Sequence, residues 1–161
     1  MTAPLIFKLS GCAFIILAGI FTGNALNGAD KARVERIDAL IALLRFFKLQ
    51  IDYYCVPVRE IFARCDTSLL NSFGIKKAPA SFDEFTELIS ANTDADAISI
   101  LKSFSDELGT GFREEQLRSC EYHINRLTEL KIALSNANEK RKKLNRVIPF
   151  SAAAAIVILL I

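Results

Sequence analysis

The only histidine, His123, stands three residues after Cys120, a spacing that would set both side chains on one face of a helix as half of a zinc site. It has no partner histidine three or four residues away, and Cys120 is the only soft ligand nearby. Cys120 also falls on an apolar stripe, where a buried thiol is the simpler account. None of the cysteines has a recognisable base and orienting group for nucleophilic work. Gly109-Thr110-Gly111 has the outline of a phosphate loop but follows no strand, and G-x-x-x-x-G-K-[ST] is absent. A helix C-cap and turn accounts for it. The carboxylate pairs Asp83/Glu84, Asp106/Glu107 and Glu114/Glu115 are adjacent in sequence, so on a helix they point about 100° apart and do not converge as an acid/base couple. No enzyme, cofactor, metal or small-molecule substrate is expected.

The elements that carry these residues follow from composition. The chain has 161 residues, 52% of them hydrophobic and 24% charged, with a net charge of +2. That balance is too even for a protein built around nucleic acid. Seven glycines and four prolines are too few for low-complexity or collagen-like classes. The length suits a single domain.

The apolar excess sits at the two ends. Leu9 to Leu26 (LSGCAFIILAGIFTGNAL) carries no charge, and neither does Val147 to Ile161 (VIPFSAAAAIVILLI). As helices they would be about 27 Å and about 22 Å long, against a hydrocarbon core of roughly 30 Å. The first segment has a rival reading as a cleaved signal peptide, with Lys8 before it and Asn24-Ala25 near a cleavage point. Charge distribution argues for two anchors. Lys31, Arg33 and Arg36 follow the first segment, while Lys140, Arg141, Lys142, Lys143 and Arg146 precede the second. Lys/Arg-rich flanks stay cytoplasmic, which places the intervening domain there and the five later cations against lipid headgroups. An odd, irregular set of cysteines (Cys55, Cys65, Cys120) agrees with a reducing compartment. The expected organisation is an N-terminal transmembrane segment (1–29), a cytoplasmic helical bundle (30–146) and a C-terminal transmembrane segment (147–161).

Periodicity in the middle is 3.6 throughout, with no run of alternating strand character. Val34, Ile37, Leu40, Ile41, Leu44, Phe47 and Ile51 make one stripe, with Asp30 as the expected N-cap. Val56-Pro57 breaks that helix. Val58, Ile61, Phe62, Cys65, Leu69, Leu70 and Phe73 form the next stripe, ended by Gly74. Ser81 and Glu84 spell a capping box for a helix burying Phe82, Phe85, Leu88 and Ile89. Asp94 caps the next helix, and a last pattern from Leu117 runs into the C-terminal segment without a glycine. The expectation is an all-α fold, an antiparallel bundle between two membrane anchors.

Two stretches carry a family resemblance. Arg45 through Glu60 (RFFKLQIDYYCVPVRE) resembles the L-x-x-x-I-x-Y-x-x-x-P-L-x-E helix break of the stage III sporulation protein AB family, with Val58 in place of the usual leucine. Leu101 through Gln116 resembles that family's L-x-x-F-x-x-x-L-G-x-x-x-x-x-x-Q stretch. The long charged helix into an apolar C-terminus is similar too. The resemblance implies a component of the channel complex that endospore-forming bacteria build between mother cell and forespore, in the cell membrane on the mother-cell side. It implies similarity to the platform-protein domain of type II secretion and type IV pilus systems, and a non-catalytic role docking a cytoplasmic ATPase of the stage III sporulation protein AA type among other channel-complex membrane proteins. Candidate partner-binding or structural residues are Pro57, Glu60, Gly109, Arg113 and Gln116. A membrane-tethered helical sensor or regulatory module is the alternative function, and a small integral-membrane enzyme a third.

Overall fold

Ile37, Leu40, Leu44, Phe47 and Ile51 recur every three or four residues, and in the computed structural model all of them are buried on one helix, α1 (Ala3–Tyr53). The structure describes the backbone of residues 3–54 and 56–160, and the side chains of residues 21, 28–54, 56–58 and 60–142. Among them there is no strand. After α1 come α2 (Val58–Ile61), a 3₁₀ turn (Phe62–Arg64), α3 (Thr67–Asn71), α4 (Phe82–Ser90), α5 (Ala95–Glu107) and α6 (Arg113–Leu160). The chain divides into two compact units, residues 33–134 and residues 1–32 with 135–161. In the second of these, the Asn138 side-chain amide donates to the Asp30 carbonyl at 3.1 Å.

Among the described residues no helix is long and apolar enough to cross a membrane. Both uncharged segments, 9–26 and 147–161, fall on residues whose side chains, Phe21 apart, lie outside the described set. Asp30 was expected to cap a helix. It lies instead inside α1, because nothing in residues 27–33 interrupts the helical backbone.

Within 33–134 the core is aromatic. The fully buried Phe47 meets Phe62, Phe82 and Phe104 with ring centroids 5.0, 5.4 and 6.4 Å apart, each edge to face. Such pairs add about 0.5–1.5 kcal/mol beyond area burial. Helices α1 and α6 run antiparallel here, since Lys48 pairs with Glu121 and Asp38 with Lys131. Arg33 pairs with Asp94, the N-cap of α5.

The local signals hold in most places. Ser81 Oγ accepts from the Glu84 N–H at 3.1 Å, while the Glu84 carboxylate accepts from Ala80 N–H one residue outside the usual box. Asp94 accepts from Asp96 N–H. Gly74 sits at φ 77°, with Gly74 N–H bonded to Asn71 O and Ile75 N–H to Leu70 O, a Schellman ending.

Two further expectations fail. The stripe from Val58 to Phe73 is not one helix, because Cys65 turns extended (φ −70°, ψ 137°) and Asp66 re-caps the chain by accepting from Ser68 N–H. A strong local cap offers the backbone an exit that the apolar pattern does not reveal. Leu88 is 55% exposed. The buried face of α4 runs through Phe82, Phe85, Thr86 and Ile89, at steps of three and four. Leu88 lies about 100° off Ile89, and Thr86 satisfies its hydroxyl on the Phe82 carbonyl at 2.9 Å.

Candidate functional site

Helix α5 must reverse into α6 within a few residues, and one side chain organises that reversal. Gln116, on the first turns of α6, is buried. Its Oε1 accepts from the Gly109 N–H at 2.8 Å, and its Nε2 donates to the Glu107 carbonyl at 3.0 Å. Gly109 adopts φ 82°, a left-handed conformation that glycine takes without penalty. Both ends of the amide are therefore spent on the turn, and the Gly109 N–H points at Gln116. The outer edge is closed by Glu115, whose carboxylate accepts from the Phe112 N–H at 3.0 Å.

The end of α1 is fastened to the same turn. Arg113 donates to the Asp52 carbonyl and to the Asp52 carboxylate. A Cβ placed on Gly109 would lie 4.0 Å from Val58 Cγ2, so α2 lies against the turn as well. Pro57 is the exposed residue before α2, and its carbonyl accepts from Glu60 N–H at 2.8 Å, with Glu60 exposed. The five candidates thus occupy one end of the 33–134 unit, and the two motif stretches meet there. Lys140, Arg141 and Lys142 are exposed on α6, whereas the side chains of Lys143 and Arg146 lie outside the described set.

Three large apolar side chains project from this end. Tyr53 is 75% exposed, Tyr54 62% and Phe112 84%. Tyr53 directly follows Asp52 and Phe112 directly precedes Arg113, so they flank the ion pair from its two sides. Nothing in the apolar periodicity had marked them.

Next to the turn lies a polar cluster that the sequence did not suggest. Glu107 accepts from Ser119 Oγ at 2.5 Å and lies 3.3 Å from Nε2 of the buried His123. Those two bonds, the serine's first, hold its carboxyl below the usual range. Nδ1 of His123 has no hydrogen-bond partner among the described residues. Cys120, three residues earlier, is buried, and burial pushes its thiol up to about 11. That burial fits its place on the apolar stripe, and no three His, Cys, Asp or Glu side chains group as a metal site among the described residues. The cluster ties α5 to α6.

A search of curated proteins and a search of solved structures each find no match. A sequence-family model, stage III sporulation protein AB, matches residues 8–161. That span includes both stretches which the structure brings together at the α5–α6 turn, and the chain belongs to the stage III sporulation protein AB family.

Proposed function

We propose that this chain is a non-catalytic platform anchored in the cell membrane at both ends, docking an ATPase of the stage III sporulation protein AA type from the mother-cell cytoplasm. A role in sporulation follows from family membership; the platform role is the finer reading. The observation that carries it is the charge layout. Two uncharged segments, 9–26 and 147–161, are flanked on their inner sides by Lys31, Arg33 and Arg36 and by Lys140, Arg141, Lys142, Lys143 and Arg146. Positive flanks on both sides hold the intervening chain in the cytoplasm, where an ATPase works. The helical, aromatic-cored unit between them supplies a rigid surface.

The test uses the full chain reconstituted in lipid nanodiscs and the purified ATPase, with association followed by interferometry. Saturable binding with Kd near micromolar, roughly −8 kcal/mol, is the expected result. Empty nanodiscs of the same lipid must not bind. Absence of binding by chain that inserts and gives a helical spectrum refutes the platform reading. Cysteine labelling from either side of sealed vesicles tests the orientation: with Cys12, Cys55, Cys65 and Cys120 replaced by serine, Lys77→Cys is expected to react only from the cytoplasmic side.

A further inference from the structure

From the geometry of the Asp52–Arg113 end we infer that Tyr53, Tyr54 and Phe112 form the docking apex, and that it seats in an apolar pocket rimmed by lysine and arginine on a partner protein. The inference rests on the platform reading and names the surface and partner chemistry that the reading leaves open. Three aromatic side chains with exposures of 75, 62 and 84% are held at one end of the unit by the ion pair between their chain neighbours. Each aromatic carries about 150–250 Å², so together with half-exposed Leu49 one turn earlier the patch reaches several hundred Å². Aromatic anchors on a fixed backbone lose little entropy on burial and dominate interface energetics.

Charge selects the occupant. Residues 49–60 and 105–118 hold six carboxylates, Asp52, Glu60, Asp106, Glu107, Glu114 and Glu115, against three guanidinium groups, Arg59, Arg113 and Arg118. These two stretches therefore sum to −3 in a chain that is +2 overall. An anionic lipid surface would repel them. A second copy would set −3 against −3, a like-charge juxtaposition that costs several kcal/mol. A basic rim around an apolar pocket complements both features.

The experiment uses the full chain in nanodiscs with the purified ATPase as probe. Phe112→Ser and the double variant Tyr53→Ser/Tyr54→Ser are each expected to weaken binding about thirtyfold, the loss typical of an interface anchor. Serine at 112 stands immediately before α6, where it is a favourable N-cap, so a loss there is not one of folding. Leu88→Ser and Ile132→Ser, exposed elsewhere on the unit, should bind within twofold of the parent. Glu60→Lys/Glu114→Lys should weaken binding tenfold or more, and the parent association rate should fall steeply with salt. Parent binding that is unaffected by the apex variants overturns the apex and leaves the platform reading standing. Tighter binding on charge reversal overturns the basic rim. A parent chain that does not bind at all overturns the platform reading and the apex with it. Self-association that is lost in Phe112→Ser, with ATPase binding intact, assigns the apex to a second copy and also overturns the inference.

Discussion

Replacing Gln116 by alanine removes the buried side chain that ties the α5–α6 turn. The parent amide makes two hydrogen bonds, to Gly109 N–H at 2.8 Å and to the Glu107 carbonyl at 3.0 Å. The two losses are unequal. The Glu107 carbonyl keeps the Thr110 N–H and hydroxyl as donors, so this bond is worth about 1 kcal/mol. Gly109 N–H has no such substitute and is part-buried, which raises its share to about 1–2 kcal/mol. Freeing a buried glutamine side chain returns roughly 1 kcal/mol of rotamer entropy. A net destabilisation of about 1–2 kcal/mol remains, a shift in Tm of roughly 2–8 °C for a chain of this size. The assay pairs a thermal melt at 222 nm with amide hydrogen exchange. Gly109 N–H should exchange slowly in the parent and fast in Gln116→Ala. Gln116→Glu separates the halves, since it keeps an acceptor for Gly109 but sets a carboxylate against the Glu107 carbonyl. The Gly109 amide should then stay protected while the melting temperature drops. A melt within about 1 °C of the parent and unchanged exchange at Gly109 would refute the bracket.

Gly109→Ala meets open space, with Val58 Cγ2 4.0 Å from the new methyl, but forces a left-handed backbone on alanine. It should lose about 1 kcal/mol in a denaturant titration with no change in slope. Phe47→Ala empties the centre of the aromatic core and should destabilise by about 3–5 kcal/mol, the largest single loss of the set, read in the same titration. The Cys120 thiol titrates at about 11 when folded, against 9.0 unperturbed. The folded state therefore holds this proton longer, so the contribution of Cys120 to stability is constant below about pH 9 and is lost between about 9 and 11, by at most ~3 kcal/mol. Cys120→Ala should flatten that limb of the pH–stability curve, and a maleimide probe should reach Cys120 at pH 8 only after denaturation.

The helices themselves were legible because their determinants are local. The stripe from Ile37 to Ile51, the stop before Val56-Pro57, the caps at Ser81 and Asp94 and the left-handed Gly74 are each decided within a turn or two of chain. Where a local rule had a local competitor the reading slipped. Asp66 could cap a new start inside an unbroken apolar stripe, and Leu88 was apolar without facing the core. The candidate site was legible in part. Gly109 and Gln116 stood out through a motif spacing whose physical meaning was not visible, and it is the reach of the glutamine amide across the turn; Arg113 stood out only by its place at the start of the last helix.

By itself the sequence determined an all-helical chain, two uncharged ends with basic inner flanks and the face each main helix buries, because periodicity, capping and charge act over a few residues. Only the tertiary structure decided that Arg113 grips Asp52, 61 residues away, that Glu107 meets Ser119 and His123, and that Tyr53, Tyr54 and Phe112 gather at one end. Those pairings follow from how α1, α5 and α6 pack, and packing angle and register are settled by side-chain interdigitation in the aromatic core. No pattern within a single helix records them.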